Sequence, residues 1–128
     1  MANATLMVGR MNTLFVEVMS SPEALKRFSR AWKNASAGKA GEATIGLGSI
    51  AELTALLSPK RMELLRHVAQ HPGLSIRALA QDLRRDYKNV HTDVTELEAR
   101  QILHRGDAGL ITAPYDELII RAPLREAA

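Results

Sequence analysis

The chain contains no cysteine, one tryptophan, two tyrosines and two phenylalanines. The absence of cysteine excludes disulfides and thiol chemistry and fits a reducing, cytoplasmic setting. With so few aromatics, the core has to be built from Leu, Ile, Val and Ala. No apolar run approaches the roughly 20 residues needed to span a bilayer. Met1–Ser20 is interrupted by Arg10 and Glu17, so it lacks the clean apolar centre of a signal peptide. The expectation is a soluble cytoplasmic protein that does not engage a membrane. At 128 residues there is room for one domain with a real core, or for a small domain plus an extension.

Net charge is a modest +3, and its distribution says more than its size. Between Pro59 and Arg105 nine cations (Lys60, Arg61, Arg66, Arg77, Arg84, Arg85, Lys88, Arg100, Arg105) face six acids (Glu63, Asp82, Asp86, Asp93, Glu96, Glu98). The stretch after it is net acidic. The basic excess per residue is therefore greatest in this segment, in the direction that nucleic-acid binding requires.

That segment also carries the clearest local pattern. Ser75 is suited to cap a helix, with Leu74 and Leu79 spaced for a hydrophobic staple. Ile76, Leu79, Ala80 and Leu83 form one apolar stripe. Asp86 can cap a second helix, spanning 86–101, in which Val90, Val94 and Leu97 repeat the stripe and Gln101 extends it. Projected at about 100° per residue, Lys88, Thr92, Thr95 and Ala99 lie opposite, flanked by Arg85, Asn89 and Glu96. Cations can pair with phosphate or guanine, Asn with adenine, and Thr packs closely in a groove. A short helix, a turn of about three residues and a longer polar-faced helix make a helix-turn-helix. The candidate DNA-contacting residues are Ser75, Arg77, Arg84, Arg85, Tyr87, Lys88, Asn89, His91, Thr92, Thr95 and Arg105.

Around this unit, Thr13–Met19 reads as a strand with Leu14, Val16 and Val18 on one face. Ser21-Pro22-Glu23 opens a helix carrying Leu25, Phe28, Ala31, Trp32 and Ala35, and Ala43–Gly48 reads as a brief strand. Ser49–Glu52 is a capping box for a short helix through Leu57. Ser58-Pro59 starts the next helix, with Leu57 and Met62 as a staple and Leu65, Val68 and Ala69 inward; Pro72-Gly73 stops it. Ile102–Arg105 and Leu110–Ala113 flank a Gly-Asp-Ala-Gly turn. After Pro114-Tyr115-Asp116, Glu117–Arg121 resumes an extended run.

Two sharper motifs lack their context. Gly46, Gly48 and Ala51 match the glycine fingerprint of a dinucleotide-binding turn. The helix after them is two turns long, however, and no second strand ending in an acid follows. His67 and His71 share a helix face, but no general-base Glu follows His67 and no third ligand is evident. The sequence supplies no nucleophile–base pair and no special pair of carboxylates, so no enzyme, cofactor or metal site is expected.

The segments SPKRMELL, RDYKNVHTDVTELE and PYDEL resemble those of a family of small prokaryotic winged-helix transcriptional regulators, over about Leu47 to Leu124. The resemblance places Asp86, Lys88, Asn89, Val90, His91, Asp93 and Val94 on the family's recognition-helix signature. It also implies that some members act as antitoxins, since their genes often lie beside those of small toxins. The glycines at 46 and 48 depart from the family pattern. The resulting expectation is an α+β chain with two parts. Residues 1–48 form a short N-terminal αβ extension for dimerisation or partner binding. Residues 49–124 form a winged helix-turn-helix, a three-helix core plus β-hairpin. The protein would bind double-stranded DNA as a homodimeric repressor. The alternative is an antitoxin that neutralises a small protein toxin directly, with DNA binding as autoregulation.

Overall fold

The computed structural model describes residues 12–19, 26 and 42–125. The expected helix from Ser21 to Ala35, with Trp32, lies outside the described residues apart from Lys26. The fold is α+β. By contact it divides into two units, Met1–Leu53 with Tyr115–Ala128, and Thr54–Pro114.

The first unit holds a three-stranded parallel sheet of β1 (Thr13–Val18), β2 (Glu42–Leu47) and β5 (Glu117–Arg121), in the order β2-β1-β5. Parallel neighbours need a crossover of a dozen or more residues, and the stretch between Val18 and Glu42 has that length. Burial alternates along β1 as its sequence predicts, with Leu14, Val16 and Val18 inward. Val16 stands in register with Ile45 and Ile120, and Val18 with Leu47. On the other face, Glu17 accepts a hydrogen bond from Arg121 at 2.8 Å, a cross-strand charge pair. The sequence groups Glu117–Arg121 with the second part of the chain, but this strand pairs with β1 and belongs to the first unit. Asp116 sets this register. Its carboxylate accepts the Asn12 backbone N–H at 2.9 Å, while its own N–H donates to the Asn12 carbonyl at 2.8 Å. Burial pushes the phenol of the neighbouring Tyr115 above its ordinary pKa, so it is neutral at physiological pH.

Helix α1 (Ile50–Leu56) starts at the expected capping box, with one variation. The Ser49 hydroxyl accepts the Glu52 N–H at 3.0 Å, and the Glu52 carboxylate reaches back to the N–H of Gly48 rather than of Ser49, also at 3.0 Å. The Gly48 N–H that a phosphate-binding turn would offer is thus occupied.

In the second unit, α2 (Pro59–Gln70) is capped by the Ser58 hydroxyl, which accepts the Arg61 N–H at 3.3 Å, with Pro59 in the first turn. Its buried residues are Leu64, Leu65 and Val68; Ala69, expected inward, is exposed. Helix α3 (Ile76–Leu83) is capped by Ser75, whose hydroxyl accepts the Ala78 N–H at 3.1 Å. Helix α4 (Tyr87–Ala99) buries Val90, Val94 and Leu97. Asp86 precedes it in extended conformation, but its carboxylate makes no capping hydrogen bond. The short strands β3 (His104–Arg105) and β4 (Ile111–Thr112) pair antiparallel. Leu74 bridges to Ile111 on the other side of β4, with Ile111 N–H donating to the Leu74 carbonyl at 2.8 Å. The hairpin is thereby stitched to the chain just ahead of α3.

Gln101 does not extend the apolar stripe of α4 as expected. It sits in the left-handed region at φ 63 and is exposed. Its N–H donates to the Glu98 carbonyl, and the Ile102 N–H to the Leu97 carbonyl, both at 2.9 Å. This is a Schellman ending, closed by the buried pair Leu97 and Ile102. A side chain at positive φ costs energy that glycine avoids. Gln101→Gly is therefore expected to raise stability by about 0.5 kcal/mol in urea unfolding, the strain relieved being partly offset by a freer unfolded chain. A loss of stability would contradict the left-handed geometry.

Candidate nucleic-acid interface

The two faces of α4 differ sharply. Val90, Val94 and Leu97 are fully buried, whereas Tyr87, Lys88, Asn89, His91, Thr92 and Thr95 are exposed. The threonine hydroxyls are turned onto their own helix: Thr92 Oγ1 donates to the Lys88 carbonyl at 3.1 Å and Thr95 Oγ1 to the His91 carbonyl at 2.8 Å. Their lone pairs and methyl groups remain for an incoming surface, and a methyl suits contact with a thymine methyl. The Tyr87 and His91 rings lie 6.0 Å apart at a tilt of 38°.

The polypeptide between α3 and α4 is three residues, Arg84, Arg85 and Asp86. Arg84 adopts the left-handed conformation (φ 54, ψ 47), where glycine is the usual choice. The Arg84 N–H reaches the Gln81 carbonyl at 3.2 Å, and the Arg85 N–H the Ala80 carbonyl at 3.0 Å. This second Schellman ending sends the two arginines to different fates. Arg84 is exposed. Arg85 turns inward to Asp93, donating from Nη2 to Oδ2 at 2.7 Å.

Asp93 also receives Arg61 of α2, from Nε to Oδ1 at 3.0 Å. The three side chains are 14%, 13% and 17% exposed for Arg85, Asp93 and Arg61. Arg61 Nη1 continues the chain of contacts to the carbonyls of Ala55 at 3.2 Å and Leu56 at 3.5 Å, where a cation suits the end of α1. Sequence reasoning missed this cluster. The available signal was angular: Asp93 projects only about 60° from Val90 on the helix, so it borders the buried stripe and needs a partner there. Helical projection puts Arg85 beside the outer face, but projection does not hold for a residue outside the helix.

The remaining predicted contacts are spread around this centre. Ser75 is committed to capping α3, and Arg77 is exposed in its first turn. Arg105 on β3 is paired with Glu98 of α4 at 3.0 Å, both about one-third exposed. Within the described residues no ion pair or side-chain hydrogen bond engages Arg77, Arg84, Lys88 or Asn89.

His67 of α2 and His71 just past its end have a different surrounding. His67 Nε2 lies 3.0 Å from Asp82 of α3, and the His67 and His71 rings are 4.4 Å apart. Among the described residues no three His, Asp or Glu side chains are arranged to hold a metal ion. A shallow open groove of about 470 Å³ runs beside Met62, Glu63, Arg66 and His67 of α2 and Leu83 of α3; α4 contributes nothing to its lining. No helix of the described residues is long and apolar enough to cross a membrane.

Comparison with curated proteins gives no match, and neither does comparison with solved structures. A family model does match, over residues 56–120, just over half of the chain and nearly all of the second unit. The chain belongs to the HVO_A0114 family.

Proposed function

We propose that the second unit is a winged helix-turn-helix that binds double-stranded DNA, with α4 as its reading helix in the major groove and the β3–β4 hairpin as its wing. The observation that carries this reading is the two-faced character of α4. Its inner face is sealed into the unit, and its outer face offers a lysine, an amide and small hydroxylated side chains that have no partner or partner only their own backbone. Such a face combines phosphate contact with base recognition. The strand-like bridge from Leu74 to β4 supports the assignment of the wing, since it fixes the hairpin to the α3 end of the unit. One reading helix makes few base contacts, so the protein acts as a homodimer on a two-fold site, as a repressor at its own or a neighbouring promoter. No catalytic step belongs to this reading.

The test is Asn89→Ala, assayed on a site selected from random duplexes and on unselected DNA of equal length. A bidentate amide–adenine pair is worth about 1–3 kcal/mol of discrimination. Affinity for the selected site should therefore fall about 5- to 150-fold and that for unselected DNA barely at all. The melting temperature should stay in place, because Asn89 is exposed. Equal losses on both DNAs would mean that Asn89 does not read a base.

A further inference from the structure

We propose that Asp93 is the positioning residue of the α4 face. It withholds Arg85 and Arg61 from phosphate and ties the reading helix to α2, leaving Arg84 and Lys88 to make the backbone contacts at this turn. The inference rests on the DNA reading above and specifies which of its cations act.

Three observations lead here. First, the two arginines that follow α3 are consecutive yet oppositely disposed, Arg84 exposed and Arg85 only 14% exposed with its Nη2 on Asp93. Second, Asp93 uses both oxygens, one for each guanidinium. A carboxylate shared in this way cannot follow either arginine outward without abandoning the other. Third, Arg85 Nη1 is buried and has no hydrogen-bond partner. A buried donor left unmade is unfavourable, so the pairing of Nη2 with Asp93 holds the side chain inward against a standing tendency to swing towards water or phosphate. An arginine in contact with the DNA backbone binds every sequence alike. Holding two arginines back thus lowers non-specific affinity without touching base contacts, and specificity rises as the difference.

Counting phosphate contacts separates this from a merely structural salt bridge. The slope of log K against log salt on random DNA changes by about 0.9 for each contact on B-DNA. Arg84→Ala should reduce the magnitude of the slope by about that amount. Arg85→Gln should leave it unaltered while reducing the ratio of selected-site to random affinity, because α4 loses its tie to the turn that precedes it. Asp93→Asn should increase the magnitude of the slope by about one contact or more as the guanidiniums are released. Arg85→Lys, which keeps the charge but lacks the Nη2 that reaches Asp93, should not restore the ratio.

A slope reduced by Arg85→Gln as much as by Arg84→Ala would overturn the proposal, since Arg85 would then touch phosphate. So would an unchanged slope and ratio in both Arg85→Gln and Asp93→Asn. A second arm needs no DNA. Amide exchange in the first two turns of α4 should quicken in Arg85→Gln and more so in Asp93→Asn, which breaks both contacts, with the double variant matching Asp93→Asn. Exchange unchanged in all three would overturn the positioning role. Wild-type protein showing no salt-dependent binding would end the DNA reading and the phosphate part of this proposal, with the exchange arm still deciding whether Asp93 sets α4. If Asp93→Asn does not fold, Arg85→Gln against Arg84→Ala carries the test.

Discussion

Val16→Asp is expected to dismantle the parallel sheet while leaving the helical unit folded. Val16 is fully buried in the central strand, with Ile45 of β2 on one side and Ile120 of β5 on the other. Among the described residues no ion pair involves that row; Glu17 with Arg121 stands on the opposite face. A carboxylate placed there must be buried charged without a partner or become protonated, and either is costly. Losses above about 4 kcal/mol are exceptional for single substitutions and arise from this kind of change. The outcome is read by amide exchange. Protection should disappear from β1, β2 and β5, while Leu64, Leu79 and Val94, which lie in the other unit, keep theirs. Uniform loss throughout would show that the two units unfold as one.

The second large effect is Leu97→Ala, which should lower the stability of the helical unit by about 2–5 kcal/mol. Leu97 is fully buried, and it also holds the exit of α4: its carbonyl accepts Ile102 N–H at 2.9 Å and Leu103 N–H at 3.4 Å. Truncation leaves a cavity and removes the apolar contact that accompanies a Schellman ending. The effect on the hairpin is the discriminating part. Ile102 and Leu103 lead directly into β3, so exchange at His104 and Arg105 should quicken together with that of α4. Urea unfolding with a loss under about 1 kcal/mol would mean that the site collapses around the smaller side chain.

Most of the helical unit was legible because its signals are local. Ser49, Ser58 and Ser75 each cap the helix their sequence context predicts, and Val90, Val94 and Leu97 of the α4 stripe are buried as projected, Gln101 alone leaving it. The alternation in β1 was equally plain. What escaped is non-local. Nothing in ELIIR names β1 as its partner, since a strand's alternation specifies a face and not a neighbour. Asp86 looked like a cap, but its carboxylate takes no N–H. At the candidate interface the exposed residues of α4 follow from phase, whereas the inward turn of Arg85 depends on a left-handed Arg84 and on an acid eight residues later. Positive φ at Arg84 and Gln101 carries no compositional mark when the residue is not glycine.

The register between β1 and β5 has a consequence for how the chain is made. Residues brought side by side there are 104 apart in sequence. At about 5–20 residues per second of synthesis, β1 waits on the order of 5–20 s for its second neighbour. The helical unit lies wholly within that interval and is rich in nearby contacts, so it can fold while the last strand is still being made. The sheet is then completed after the helical unit has formed, and the entropy of closing so long a loop grows only logarithmically with its length. Until then one edge of β1 stays unpaired and open to any other extended segment, the kind of exposed strand that promotes aggregation of nascent chains.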